Sequence, residues 1–488
     1  MMFFIPICVL VLIFLYHFST RKFNHWRKKN VKGPKPIPVF GNLIDSVLRR
    51  KHIGIVYKEI YDQFPDEKFV GIYRMTSPSL LIRDLDTVRQ ILIKDFEYFS
   101  QRGIEYSSEK LGDNLFHCDA DTWGALKNKM TPIFTSSKLR VMFHTFDEYG
   151  DNLIEYIKMV SLKKSEHDAY NLFKKYTVAS VMDACFGLKV DTFNDGILYD
   201  LVETPLMNIS YKNEMDMLVP GILKKNNISL FHEKVNKFSN EVVQAVLKHR
   251  NGVSSARNDV IDVFLALKER NEMKLKITNN IIASQVFIFY LAGYGNNSLA
   301  LSYAVHYLAR DPNIQNKLIN EIDEVLKRFD GKLCYDSLNE MKYLEMVFYE
   351  TLRKHPLTNS ISRAVNQDYR LSADVTLNKG TTVVISPYAI QYDEKYYPNP
   401  EKFDPERFAP ENVSNRHSCA FLTFGAGPRG CLGSRFGKIQ FQVALVKLLS
   451  HFRVESSGKT KTVNKYIPWK LLLTPQERIY VNLVPRTN

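Results

Sequence analysis

Cysteine is scarce in this chain. The 488 residues hold six: Cys8, Cys118, Cys185, Cys334, Cys419 and Cys431. None forms a Cys-x-x-Cys pair, and the irregular spacing argues against a disulfide framework. Reduced cysteines fit a body that lies in the cytosol. Internal repeats, low-complexity stretches and nucleic-acid motifs are missing as well. The formal net charge is +14, yet lysine and arginine are spread along the whole chain. That excess reads as suited to an anionic membrane surface or an acidic protein partner, and no nucleic acid is expected. Beyond the N-terminus no apolar run is long enough to span a bilayer. The segment Ile281–Gly293 is short and carries Ser284 and Gln285, so it is read as a buried core helix.

What is present is a composition able to bury a large core: hydrophobic residues make up 45% and charged residues 24%. Residues 1–18, MMFFIPICVLVLIFLYHF, are apolar apart from Tyr16 and His17. As a helix they would span ~27 Å, close to the thickness of the endoplasmic reticulum bilayer. Arg21, Lys22, Arg27, Lys28 and Lys29 follow the run instead of preceding it. A cleaved signal has the opposite order, so an uncleaved single-pass transmembrane helix is expected, with Met1 lumenal and the body cytosolic. Residues 19–41 form a basic, proline-rich linker. Pro34, Pro36 and Pro38 fix φ there and disfavour helix, which suggests a stiff spacer or hinge. Residues 42–488 read as one large unit.

Within that unit Lys68–Tyr73 and Ser79–Ile82 look like strands. Helical patterns dominate from Leu85 to Arg353, including Leu299–Ala309 and the amphipathic Leu318–Phe329. Tyr369–Leu377 and Thr381–Ile385 are short and β-branched, so strands are expected. The fold class is mainly α with small β-sheets.

The most specific signal is Phe424-Gly425-Ala426-Gly427-Pro428-Arg429-Gly430-Cys431-Leu432-Gly433. Its glycines allow tight turns and close approach to a flat ligand. An apolar run from Phe436 to Leu449 follows, which places Cys431 just before a helix. Loop amides and a helix N-terminus stabilise a thiolate, and a thiolate ligand on haem iron favours O–O cleavage. A buried structural cysteine in a glycine turn is the plainer reading of a lone cysteine, but the whole decapeptide is more specific than that.

On this decapeptide the chain resembles the cytochrome P-450 superfamily, whose haem signature (Phe-x-x-Gly-x-Arg-x-Cys-x-Gly) is matched in full. The resemblance extends over nearly the whole chain. It implies the cytochrome P-450 fold around haem b with Cys431 as axial ligand. Glu350-Thr351-Leu352-Arg353 matches the family's Glu-x-x-Arg, and Phe403–Phe408 supplies a second arginine, Arg407. The resemblance implies that Glu350, Arg353 and Arg407 form a buried charge network near the cysteine loop. It also implies that Arg429, Arg363, Trp123, Lys127 and Phe424 contact the haem. Lys127 stands where the family has arginine, and lysine lacks the bidentate fork.

One segment departs from the pattern. The central helix of the family carries Ala-Gly-x-(Glu/Asp)-Thr beside the oxygen site, and here the stretch is Ala292-Gly293-Tyr294-Gly295-Asn296. Gly295 replaces the acid and Asn296 the alcohol of a proton relay. Asn296 can hold a water but cannot pass a proton as a hydroxyl does, and Gly295 is expected to loosen the helix. Three readings stay open: a monooxygenase with a water- or substrate-assisted relay, a rearrangement of an oxygenated substrate, or haem binding with impaired turnover.

Phe134–Leu139 and Tyr396–Pro400 look like the microsomal branch, nearest its insect detoxification enzymes. That likeness implies O2, a lipophilic small-molecule substrate, the endoplasmic reticulum membrane, and electrons from NADPH–cytochrome reductase. It places Lys127, Lys129, Arg140, Arg435 and Lys438 near the side where an acidic reductase domain would dock. It places Leu201–Leu230, with Met207, Met215, Met217, Leu218 and Val219, over the substrate. Four Asn-x-Ser sites, at Asn208, Asn227, Asn296 and Asn412, are expected to stay unglycosylated in a cytosolic body.

Overall fold

One long helix, Asn279–Arg310, organises the body. The Thr278 side chain accepts from the Ile281 amide and caps its start. At its end Asp311 caps the next helix, Pro312–Arg328, which has proline in its first turn. The long helix is apolar on most faces, as a fully surrounded helix must be. The separate helical stretches read at Ile281–Gly293 and Leu299–Ala309 are parts of it. In this computed structural model the described residues are 4–103, 111–162, 166–194, 210–219, 221–229, 231–250, 257, 259–270, 277–460 and 463–486. Helices Ala169–Phe186, Glu233–His249, Lys342–Lys354 and Ser434–His451 pack against the central helix. Gly293 makes one of these approaches possible, since a methyl group there would lie 2.7 Å from Val181 Cγ2. The apolar residues of these helices form the larger core.

A second core lies under a four-stranded sheet. Its order is Phe69–Arg74, Ser77–Ile82, Thr382–Ile385 and Ile361–Ala364, with the two middle strands parallel. The expected strands at Lys68–Tyr73, Ser79–Ile82 and Thr381–Ile385 sit here with ends moved by a residue or two. The stretch Tyr369–Leu377 is a hairpin of two-residue strands, Tyr369–Arg370 against Thr376–Leu377. Its turn holds Ser372, Ala373 and Asp374, and the Ser372 hydroxyl accepts from the Val375 amide. A three-stranded sheet joins Glu166–Asp168, Tyr480–Pro485 and Phe452–Ser456, and so breaks the helical run read between Leu85 and Arg353.

The N-terminal apolar run forms a helix over Phe4–Thr20. Among the described residues no helix is long and apolar enough to cross a membrane. Leu10, Leu12 and Phe14 are 64–67% exposed on it. The basic segment that follows is docked on the sheet. Trp26 is buried, and its indole N–H donates to Ile72 O at 3.0 Å. The Tyr73 hydroxyl donates to Phe23 O at 2.8 Å. Gly71 admits the indole, since a Cβ there would overlap it. Met207, Asn208 and the rest of 201–209 lie outside the described residues. Met215, Met217 and Leu218 belong to a short helix, Lys212–Leu218. Its end is tied to the sheet because Thr76 and Ser77 donate to Leu218 O and Met217 O.

Candidate active site

The cysteine loop is shaped by its glycines and held by its own amides. Gly425 and Gly427 both have φ of 70°, a conformation that disfavours side chains. A Cβ on Gly427 would overlap Leu92 O. The Cys431 amide donates to Phe424 O at 2.8 Å, which closes the loop. The helix Ser434–His451 starts just beyond. Cys431 is exposed by surface area although it lies deep within the protein, so its thiol faces an internal space. Burial pushes the thiol up, while the Gly433 amide and Arg102 pull it down. Phe424 is half-buried, with its ring 6.1 Å from Phe348.

Three guanidinium groups gather beside this loop. Arg429 sits over the Trp123 ring at 4.3 Å, and its Nε donates to Ser100 O at 3.0 Å. Arg363 is 1% exposed and among the described residues donates only to Ser362 O, at 2.9 Å. Arg102 donates to Arg429 O at 3.4 Å and covers the Phe116 ring at 3.9 Å. Among the described residues, buried nitrogens of all three, Arg102 Nε, Arg363 Nε and Arg429 Nη1, have no hydrogen-bond partner. Among the described residues no carboxylate pairs with any of them. Burial and its two neighbours push Arg102 well below the usual guanidinium range. Burial pulls Arg363 down to about 10, helped by Arg429, and burial lowers Arg429 to about 10. Arginine keeps its proton in proteins, so such a cluster calls for an anion. Haem b brings propionate carboxylates and an iron that takes a thiolate, so the residues present fit it.

Lys127 also reaches the cysteine loop itself. Its Nζ donates to Pro428 O and lies 5.0 Å from the Trp123 ring. It braces the cysteine loop from below, with its ammonium lowered by burial and by Arg429.

The charge network stands where the motifs put it. Glu350 and Arg353 are both 0% exposed and pair through two hydrogen bonds, at 2.6 and 2.9 Å. Arg407 Nε lies farther off, 3.7 Å from Glu350 Oε1. Arg353 also donates to Gln391 O and Pro400 O. Gln391 carries the network to the cysteine loop, since its Oε1 accepts from the Leu422 amide at 3.0 Å. The Thr423 hydroxyl donates to Leu352 O at 3.1 Å. Glu350→Ala strands a buried guanidinium and is expected to destabilise the protein by about 3–5 kcal/mol. Denaturant unfolding of the haem-loaded protein checks this, and a loss below ~1 kcal/mol would contradict a supporting role.

The central helix carries the segment that departs from the family pattern. Ala292 is exposed there, although the turns around it are buried. Gly295 is buried and the helix continues through it, so the expected loosening is not seen in the backbone. The polar contacts of Asn297 and Ser298 hold the next turn in place. The Asn296 Nδ2 donates to Ala292 O at 2.9 Å. A carbonyl can only accept, so chemistry fixes the amide orientation. Aromatic rings bridge from here to the segment 111–119: Phe287 to Phe231 at 4.9 Å, Phe231 to His117 at 5.6 Å, and His117 to Phe116 at 4.9 Å.

Arg102 was not singled out from the sequence. Its segment carries no motif, and the signal is spatial: Gln101 bridges to Ala364, beside Arg363. Asn297 and Gln440, which join the central helix to the helix that follows the cysteine loop, were missed for the same reason.

Comparison with known proteins agrees with this geometry. The cytochrome P450 family profile matches residues 31–483. The chain is 47% identical over 487 residues to cytochrome P450 6B1 of Papilio polyxenes, covering 97% of each. It is 45% identical to cytochrome P450 6B2 of Helicoverpa armigera, covering 99% of each. Cytochrome P450 6j1 of Blattella germanica is more distant, at 32% identity over 99% of this chain and 97% of that protein. A loop built for a thiolate, two buried arginines and a half-buried third thus stand in a chain that belongs to the cytochrome P450 family, the haem-thiolate monooxygenases.

Proposed function

We propose that this protein inserts one oxygen atom from O2 into a lipophilic small molecule, with electrons passed from NADPH through a reductase. The observation that carries the placement of the haem is the cluster of Arg102, Arg363 and Arg429 beside Cys431, each with a buried nitrogen that has no hydrogen-bond partner among the described residues. In this reading Cys431 is the axial ligand. Arg429, Arg363 and Arg102 hold the acidic edge, Trp123 packs beneath Arg429, and Lys127 braces the loop. Phe424 lines the thiolate side. Once bound, haem supplies the oxygen-activating chemistry. The chain orients the group, encloses it in apolar walls and sets the protonation around it. Gly295 and Asn296 face the relay's task with neither an acid nor an alcohol.

The Asn296–Ala292 bond favours a second reading, rearrangement of a substrate that already contains oxygen, because the amide is engaged and passes no proton. Reconstitution with reductase and NADPH, followed by product mass, separates the two. A gain of one oxygen supports insertion, an isomer supports rearrangement, and no product from a broad lipophilic set counts against both.

The exposed apolar helix Phe4–Thr20 and the cations after it support a single-pass anchor in the endoplasmic reticulum membrane with the body in the cytosol. Trp26 docks the segment after that helix, which fixes how the body sits above the bilayer. Deleting residues 1–20 leaves the Trp26 contacts in place. The truncated protein is expected to leave the membrane fraction while keeping its haem spectrum. Loss of haem on truncation would show that the helix belongs to the folded core.

A further inference from the structure

The central helix and the helix that follows the cysteine loop are joined by a buried polar clamp. Asn297 Nδ2 donates to Gly437 O at 3.0 Å and also to Gln440 Oε1. Gln440 Nε2 donates onward to Ser180 Oγ at 2.7 Å. The Tyr176 hydroxyl donates to Gln440 O at 3.0 Å, and Thr177 Oγ1 lies 2.6 Å from Ser298 Oγ. Gln440, Ser180, Thr177 and Ser298 are all 0% exposed. Three helices thus meet through polar atoms in a region that is otherwise apolar.

The place of this clamp in the chain gives it meaning. Asn297 follows Asn296 directly. Gly437 and Gln440 lie in the first turns of the helix entered from Cys431. Each interior glycine costs a helix about 1 kcal/mol relative to alanine. The central helix has two, Gly293 and Gly295, in the turn just before the clamp. Apolar packing there is non-directional and would tolerate sliding. A fully satisfied buried polar network fixes one register.

We propose that Asn297 and Gln440 are positioning residues for the reaction, holding the turn Ala292–Asn296 at one register and distance from the helix that carries the Cys431 loop. The proposal rests on the reading of Cys431 as the haem ligand and of that turn as the oxygen-side wall.

The test uses the full-length haem-loaded enzyme and three variants: Asn297→Ala, Gln440→Leu, and the length swap Asn297→Gln with Gln440→Asn. Hydrogen exchange is followed in peptides covering 288–300 and 431–442. Product per NADPH and the absorption of the reduced, carbon monoxide-bound form are measured alongside. Each single change is expected to speed exchange about threefold to tenfold in both segments, as loss of a buried hydrogen bond would. Coupling falls several-fold while the substrate's spectral dissociation constant stays put, and the swap recovers both. A clamp that only stabilises the fold would lower the melting temperature and leave coupling of the loaded enzyme unchanged, and that result overturns the proposal. So does exchange that rises in one segment alone. If Gln440→Leu fails to load haem, Ser180→Ala removes one acceptor only and is expected to give the same pattern at smaller amplitude. An error in the ligand assignment would appear separately, in the spectrum of Cys431→Ala.

Discussion

Cys431→Ala is expected to abolish the ~450 nm band of the reduced, carbon monoxide-bound protein, and monooxygenation with it. That band reflects donation from a thiolate to the iron, and no other side chain near the arginine cluster supplies one. Among the described residues Cys118 is the rival in reach, because its carbonyl accepts from Arg429. Its thiol is buried, which pushes its pKa up to about 12 and keeps it protonated. Cys185 and Cys419 are buried and pushed up in the same way, and Cys334 caps a surface helix at Tyr335–Glu340. Burial raises the Cys431 thiol as well, and an arginine favours the anion at both positions, Arg102 at Cys431 and Arg429 at Cys118. What sets Cys431 apart is its exposed Sγ, which faces an internal space where a ligand can reach it, whereas Cys118 is buried. Cys118→Ala is the matched control and is expected to keep the band. Survival of the band in Cys431→Ala, with its loss in Cys118→Ala, would reverse the assignment.

The cysteine loop was legible because its chemistry is contiguous. Glycine positions, the arginine and the thiol all fall within one decapeptide, and local turn geometry decides the rest. Glu350 and Arg353 were legible for a similar reason, since a helix puts i and i+3 on one face. Arg102 was not, because its role depends on a bridge between Gln101 and Ala364, far apart in the chain. The register between two helices is likewise invisible in one sequence, which hid Asn297 and Gln440. The reach of Lys127 to Pro428 O depends on a loop conformation that spacing alone does not give. The glycines of the central helix suggested a loosened turn, yet packing and the polar contacts beyond it keep the helix whole. Tertiary context overrode local propensity there.

Restoring the relay as Gly295→Glu with Asn296→Thr is expected to raise product formed per NADPH if the native chemistry is oxygen insertion. Acid–base groups in such roles typically contribute about a hundredfold to ten-thousandfold, and a gain of roughly tenfold to a thousandfold in the proton-transfer step is reasonable here. The helix can accept the threonine. Ser298 and Ser302 already donate to the carbonyls of Tyr294 and Ser298, each at 2.7 Å. A threonine hydroxyl at 296 could make the same bond to Ala292 O that the Asn296 amide makes now. Unlike the amide, it could also pass a proton on. The glutamate is the harder change, because Gly295 is buried and a carboxylate there needs water or a partner. A clash with substrate would appear as weaker binding in a spectral titration, separate from coupling. Asn296→Thr alone therefore serves as the milder arm. The deciding measurement is product per NADPH with hydrogen peroxide counted beside it. If the native reaction is a rearrangement, neither change helps, and the buried charge harms. If the unsubstituted enzyme already couples tightly, the departure at 295 and 296 is no handicap. Asn296, fixed by Ala292 O, would then be holding an ordered water that does the work of the missing alcohol.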